Sequence, residues 1–263
     1  MLTVHTFASG SEGNCLLISC GQTHILLDAG ISCKRIRESL ARLDLTLADV
    51  DGILITHEHS DHICGLATLV RRWAVPVYAT AATGRQLSYR IAGIEPLLRQ
   101  VAPGDVFALG ETRVTVFPTS HDAAHSVDYR VDGDSGSVGV LTDTGYVTDE
   151  AAAALAGVTL LVLESNHDVE WLKSGPYPWP LQQRILGEQG HLSNDTAARF
   201  AYTMARQGTA QFVLAHLSRE NNTPARALET VQRAVAEFGA AVTVAPRGEV
   251  SPCYVAEDAI CRK

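Results

Sequence analysis

Apolar residues recur in short blocks divided by Gly- and Asp-containing turns, and their spacing alternates between two residues and three to four. "LTVHTF", "NCLLISCG" and "THILLDAG" read as strands of a meander or hairpins. "CKRIRESLARLDL" puts Ile36, Leu40 and Leu43 on one side of a helix. "VDGILITHEHSDH" reads as a buried strand running into a polar cluster, and "ICGLATLVRRW" as a helix leaving it. "VPVYATAATGRQLSYRI" is strand then helix. Residues 101–142 return to strands, with Asp132 and Gly133 as a tight turn. A short helix over 149–156 and a strand over 158–165 follow, then an irregular stretch over 166–190 rich in Pro, Trp and Gly. "NDTAARFAYTMARQ" is a helix capped by Ser193, Asn194 or Asp195. "TAQFVLAHLS" is a strand, and "PARALETVQRAVAEFG" a helix with Pro224 in its first turn. "AVTVAPRG" and "VSPCYVA" are expected to close the chain as a strand pair.

Strands and helices alternate in two blocks, roughly 1–140 and 140–263, with no Pro/Gly/Ser linker between them. That predicts one α/β domain over 1–263, with sheets packed face to face and helices outside. A length of 263 residues, 46% of them hydrophobic, suffices for a sizeable core. No apolar run reaches the roughly 18 residues of a membrane span. The N-terminus "MLTVHTFASGSEGN" lacks the basic and apolar regions of a secretory signal, so a cytoplasmic location is expected. Cys15, Cys20, Cys33, Cys64, Cys253 and Cys261 form no CxxC pair and read as reduced thiols. The net charge of −8 argues against broad electrostatic capture of nucleic acid. Bound divalent ions would still create a local positive site.

The polar cluster changes the picture. "HEHSDH" places His57, His59, Asp61 and His62 within six positions at the end of an apolar run. So many donors crowd a single ion but suit two adjacent ones. His121 follows "RVTVFPTS", Asp143 follows "SVGVLT" and His216 follows "AQFVLA", each at the end of an apolar block. Any one of these is an ordinary polar strand end; together they read as a metal site. His57, His59 and His121 would hold one ion, and Asp61, His62 and His216 the other. Asp143 would bridge, since a carboxylate has two oxygens. Imidazole-rich sites suit Zn²⁺, the first expectation, while the mixed N/O set also accepts Mn²⁺.

"HEHSDH" resembles the H-x-H-x-D-H motif of the metallo-β-lactamase superfamily, and Asp28 in "LLDAG", His121, Asp143 in "TDTG" and His216 fall where that family places its other elements. The resemblance implies a four-layer αββα sandwich with the metals at one edge of the sheets, and Asp28 as a carboxylate behind a ligand imidazole. "GHLSND" and "AHLSREN" resemble the tRNA 3′-processing ribonucleases of this superfamily. "FASGSEGNC", "THEHSDHICGL", "ESNHD", "GHLSND" and "HLSRENN" are similar to its YycJ/WalJ-like group, 5′-exonucleases acting on DNA. The spans between His121 and Asp143 and between Asp143 and His216 are too short for the arm or extra domain of the larger relatives.

The resemblance implies a phosphodiesterase. A hydroxide shared by the two ions attacks phosphorus, and His191 protonates the leaving sugar oxygen; His191 and Asp61 carry the chemistry. His167 is expected behind the ligands or against substrate. Ser9, Ser11 and Asn14 in the "SGSEGN" turn would contact phosphate, and so would the helix start at Ser193 and Asn194. Tyr177 and Trp179 would stack on bases or fill an apolar gap. Arg219, Arg226 and Arg247 are further candidate phosphate anchors. DNA is favoured over RNA as substrate, no membrane association is expected, and an oligomer or accessory protein stays open. The alternative is a thioesterase or lactonase with the same metal site, which needs no acid at His191 and wants an apolar pouch. A module that merely holds zinc is the third reading.

Overall fold

The computed structural model describes residues 1–257, so Cys261 lies outside the described residues. The first block of the chain gives β1 (Leu2–Ala8), β2 (Cys15–Cys20), β3 (Thr23–Leu27), α1 (Cys33–Ala41), β4 (Gly52–Leu54), α2 (Ser60–Ile63), α3 (Leu66–Val70), β5 (Val77–Thr80), α4 (Ala81–Arg90) and β6 (Leu98–Val101). There follow β7 (Val106–Leu109), β8 (Thr112–Pro118), β9 (Val127–Gly133), β10 (Gly136–Leu141), α5 (Asp149–Leu155) and β11 (Leu160–Glu164). The remainder is α6 (Val169–Ser174), α7 (Trp179–Leu186), α8 (Asn194–Arg206), β12 (Gln211–Ala215), α9 (Pro224–Val235), β13 (Ala241–Val244) and β14 (Tyr254–Ala256).

The strands form two seven-stranded sheets, ordered β14-β1-β2-β3-β4-β5-β6 and β13-β12-β11-β10-β9-β8-β7. β1, β2 and β3 make the expected antiparallel meander, and β3 to β6 then run parallel. Period-two burial builds the layers. Val138 and Val140 of β10, with Leu160 and Val162 of β11, face the other sheet, where Val4, Ile18 and Leu54 meet them. Leu141, Leu161 and Leu163 point the opposite way, onto Leu155 of α5, Phe200 and Met204 of α8, and Val231 of α9. On the outside of the first sheet, Leu17, Leu26 and Ile53 pack against Ile36 and Leu40 of α1, Leu66 and Leu69 of α3, and Leu87 of α4. Strands apolar on both faces can only be covered on both sides, so the result is the four-layer αββα sandwich.

Four local expectations need correction. Asp132 and Gly133 end β9, and the two-residue turn is Asp134 and Ser135, because Gly133 pairs with Gly136. The closing strands do not pair: β13 adds to β12 and β14 to β1, so the chain crosses between sheets after Ala245. Residues 166–190 are not all irregular but contain α6 and α7. The helix leaving the histidine cluster is two pieces, α2 and α3, broken at Gly65. There the backbone N–H donates to the Ala29 carbonyl, and a Cβ would strike the Ile31 carbonyl. A Cβ at Gly30 would likewise strike the Asp61 carbonyl, so glycine lets the loop after β3 lie flat on α2.

Non-glycine residues in the left-handed region are few among the described residues: Asp28 (φ 60°), Asp44 (φ 58°), Asp143 (φ 50°) and His216 (φ 54°). Asp28, Asp143 and His216 follow strands that end at one edge of the sandwich. A left-handed residue of this kind costs about 1–3 kcal/mol, and such strain concentrates at functional sites.

Candidate metal centre

Strand ends at that edge bring the expected donors together. β3 delivers Asp28, the extended chain after β4 delivers His57 and His59, and α2 carries Asp61 and His62. The ends of β8, β10 and β12 deliver His121, Asp143 and His216. Donor atoms of His57, His59 and His121 lie within 4.8 Å of one another, as do those of Asp61, His62 and His216. Asp143 sits between the two groups: its Oδ2 is 3.0 Å from His62 Nε2 and its Oδ1 3.8 Å from His121 Nε2. The His57 and His62 rings are 4.1 Å apart, centre to centre. All seven side chains thus converge on two adjacent clusters, a layout for a dinuclear metal centre.

The hydrogen bonds behind the clusters set the tautomers. His62 Nδ1 donates to Asp28 Oδ2 at 2.7 Å. The Thr56 hydroxyl donates to Asp28 at 2.9 Å and therefore accepts from His57 Nδ1 at 3.0 Å. His121 Nδ1 donates to the Gly190 carbonyl at 3.2 Å, and His216 Nδ1 to Glu164 Oε1 at 3.0 Å. Each ring is left with an Nε2 lone pair aimed at the clusters. His57 Nε2, His216 Nε2 and Asp143 Oδ2 are buried without a hydrogen-bond partner. Lone pairs facing carboxylate oxygens in a buried site need a cation, and the mixed N/O set fits divalent metal.

The buried carboxylates demand positive charge here, whether it comes as protons on these rings or as metal. Burial opposes charge on His62, yet Asp28 and Asp143 outweigh it and hold the imidazole well above its usual range. Burial likewise opposes charge on His216, but Asp143, the Asp61 carboxylate 3.7 Å away and the hydrogen bond to Glu164 raise it to about 10. His57, which burial and the neighbouring His62 both disfavour as a cation, is pushed well below the imidazole range. Asp143, despite burial, is held well below the carboxylate range by His216 and His62.

Glu164, which ends β11, is a residue the motif reading passes over. Fully buried, it accepts from His191 Nδ1 at 2.8 Å, His216 Nδ1 at 3.0 Å, and the backbone N–H groups of Leu192 and Thr144. Burial raises its pKa, but His191 and these bonds bring it down to about 2. Its signal was present in "LLVLE": an acidic residue ending an apolar strand, as Asp143 does. His191 itself stands on the rim of the site, raised above the imidazole range by Glu164 and Asp143 against the cost of burial.

A pocket of about 260 Å³ opens over the centre, and His59, Asp61, His121, Asp143, His191 and His216 line it. Ser11, Asp122, Asn166, Arg184, Gln189 and Ser218 complete a mostly polar wall, with Tyr177, Leu181 and Ile185. Of the expected phosphate contacts, only Ser11 faces this pocket. Ser9 Oγ accepts from the His216 N–H at 2.8 Å, and Asn14 Nδ2 lies 3.1 Å from His62 Nε2, so both brace the centre. Ser193 caps α8 through its own hydroxyl. The Asn194 N–H donates to the His167 carbonyl, and its amide is tied to Ser165 and Asn222, so neither group is free for phosphate. His167 is buried with both ring nitrogens unpartnered, and burial lowers it to about 4; it touches no ligand candidate through a hydrogen bond. Trp179 is 70% exposed, so it fills no gap, while Tyr177 lines the pocket. Arg219 pairs with Glu12, Arg226 with Asp168, and Arg247 holds the Ser218 carbonyl.

Comparison with known proteins agrees with this geometry. Residues 23–217 match the family described as the beta-lactamase superfamily domain. The chain is 39% identical over 233 residues to the exodeoxyribonuclease YycJ of Bacillus anthracis, covering 88% of each chain. It is 38% identical over 240 residues to the exodeoxyribonuclease WalJ of Streptococcus pneumoniae, covering 89% of each. The metallo-β-lactamase fold protein YhfI of Bacillus subtilis superposes with a TM-score of 0.73 at 17% identity, over 96% of this chain and 100% of that one, a likeness of fold. Matched along nearly its whole length and carrying the paired donor clusters, the chain belongs to the metallo-β-lactamase superfamily, in its YycJ/WalJ family, and is a metal-dependent hydrolase.

Proposed function

We propose that the protein is a phosphodiesterase that removes nucleotides from the 5′ end of DNA, acting as one domain over residues 1–263. The observation that carries this reading is His191. Its Nδ1 is held by Glu164 at 2.8 Å, which leaves Nε2 to face the pocket beside the donor clusters. That placement suits a proton donor to a leaving sugar oxygen, a group that acyl hydrolysis does not require. The names of the relatives, both exodeoxyribonucleases, support DNA as the substrate. The mostly polar pocket wall supports a phosphodiester over an apolar acyl group. Five free cysteines among the described residues suit the reducing cytoplasm.

His57, His59 and His121 would hold one divalent ion and Asp61, His62 and His216 the other, with Asp143 placed between them; zinc is the expected metal and manganese the next. Ions bound there would supply charge neutralisation for the phosphodiester and a water acidified enough to attack at neutral pH. Asp61 is the most exposed carboxylate of the clusters and orients the attacking water by accepting its hydrogen bond. Glu164 fixes the His191 ring and keeps it charged until the proton is passed on. Ser11 is the one residue of the "SGSEGN" turn placed to touch substrate.

Metal-loaded protein incubated with end-labelled single- and double-stranded DNA, RNA and a panel of thioesters tests the reading. Stepwise release of nucleotides from the 5′ end of DNA is expected. Turnover of thioesters with no cleavage of any nucleic acid would contradict it.

Asp28 acts behind the ligands by anchoring His62 Nδ1. Asp28→Ala is expected to weaken metal affinity about 10- to 100-fold, as loss of such a partner does elsewhere. A competition titration against a chelator reads this directly.

A further inference from the structure

The chain is acidic overall, yet one face is strongly basic. Residues 33–42 and 64–73 carry Lys34, Arg35, Arg37, Arg42, Arg71 and Arg72 against a single acid, Glu38. All but the half-buried Arg35 are exposed. The two stretches are neighbours in space: the Arg37 guanidinium lies 5.8 Å over the Trp73 ring, and Arg37 and Arg72 both act on the Cys33 thiol. Among the described residues only Lys34 of this set has a carboxylate partner, Glu38 at 3.8 Å, an exposed pair of little strength. Asp49 beyond the patch is folded into its own cap with Thr46. Between the stretches runs a groove of about 570 Å³, lined by Leu45, Leu47 and Trp73 and by Lys34, Arg37 and Glu38.

The helices that carry the patch start beside the metal centre. α1 begins at Cys33, just beyond the loop that carries Asp28, and α2 itself carries Asp61 and His62 before α3 continues from Leu66. These helices lead away from the site because they return antiparallel to the parallel strands β3, β4 and β5. Arg42 therefore lies about 13 Å along from the start of α1, at roughly 1.5 Å per residue, and Arg71 and Arg72 follow the end of α3. A charge of this sign and density, beginning where the reaction is placed, complements a polyanion.

We propose that this face holds the phosphodiester backbone of the part of the substrate strand that is not being cut. The proposal rests on the nuclease reading and adds to it an answer to the acidic net charge: the strand is gripped locally, away from the centre. Backbone contacts of this kind are insensitive to base sequence and release counterions.

The test uses the metal-loaded protein and Arg37→Glu/Arg71→Glu/Arg72→Glu, which alters only exposed side chains. Binding of a phosphorothioate strand of about 20 nucleotides, which resists cleavage, is followed against salt. Three lost contacts should make the slope of log affinity on log salt shallower by about 2 and weaken binding at low salt by about tenfold or more. Cleavage of a dinucleotide, whose single phosphodiester is the one cut and leaves no further backbone for the patch to hold, should be unchanged. Undiminished binding of the long strand would overturn the proposal, and so would equal losses for short and long strands. Capture of anionic lipid vesicles in place of the oligonucleotide would overturn it too. Binding through these arginines without cleavage of any nucleic acid would leave the surface standing and remove the nuclease reading. Cleavage with unaltered binding in the variant would do the reverse.

Discussion

Asp143→Ala is expected to leave the chain unable to hold its ions and to cut turnover by about 10⁴-fold or more. The magnitude follows from several kcal/mol of transition-state stabilisation supplied by metal, at about 1.36 kcal/mol per tenfold in rate. Among the described residues Asp143 is the one carboxylate that faces both clusters, 3.0 Å from His62 and 3.8 Å from His121. Alanine also tolerates the φ of 50° less well than aspartate, so Asp143→Asn serves as the companion variant. Asparagine accepts that backbone and removes only the charge. Both variants should lose metal by elemental analysis, and Asp143→Asn should keep a cooperative unfolding transition. Retention of two ions with unchanged turnover in Asp143→Asn would show that Asp143 bridges nothing.

His191→Ala is expected to lower turnover by about 10²–10⁴-fold, the range for a lost general acid, while metal content stays at the unmodified value. His191 shares Glu164 with His216, and its donors fall within one group with Asp143, Glu164 and His216. A ligand role and an acid role therefore make opposite statements about metal. The hydrogen bond from His191 Nδ1 to Glu164 favours the acid role, since it presents Nε2 and a proton to the pocket rather than to the ions. A substrate with a strongly acidic leaving group, such as a nitrophenyl phosphodiester, should be hydrolysed nearly as well by His191→Ala, because its leaving oxygen needs no proton. Loss of an ion, or equal losses on both kinds of substrate, would move His191 out of the acid role.

Much of this was legible because four of the expected ligands are polar residues ending apolar strands, and parallel strands in one sheet end on one side. His57, His121, Asp143 and His216 all carry that signature. Glu164 carries it too, but no motif marks it, since its role depends on His191 and His216 meeting it. Asn14, Ser9 and Asn194 looked like loop donors free for phosphate. Tertiary contacts commit them instead to His62, to the His216 backbone and to the 165–222 network. α7 was illegible because none of its residues is buried, so no apolar period marks it, and Pro178 and Pro180 at its start resemble loop. β13 and β14 depart from the tendency of neighbouring strands to pair. Here the Ser251 N–H donates to the Thr6 carbonyl, carrying the chain across to the first sheet.

Seven side chains drawn from strand ends and one short helix are claimed to grip a pair of ions, and anomalous diffraction from crystals of the metal-loaded protein locates such ions without reference to activity. Two peaks are predicted, one among His57, His59 and His121 and one among Asp61, His62 and His216, each within coordination distance of Asp143. A single peak, or peaks seated away from these residues, would contradict the account.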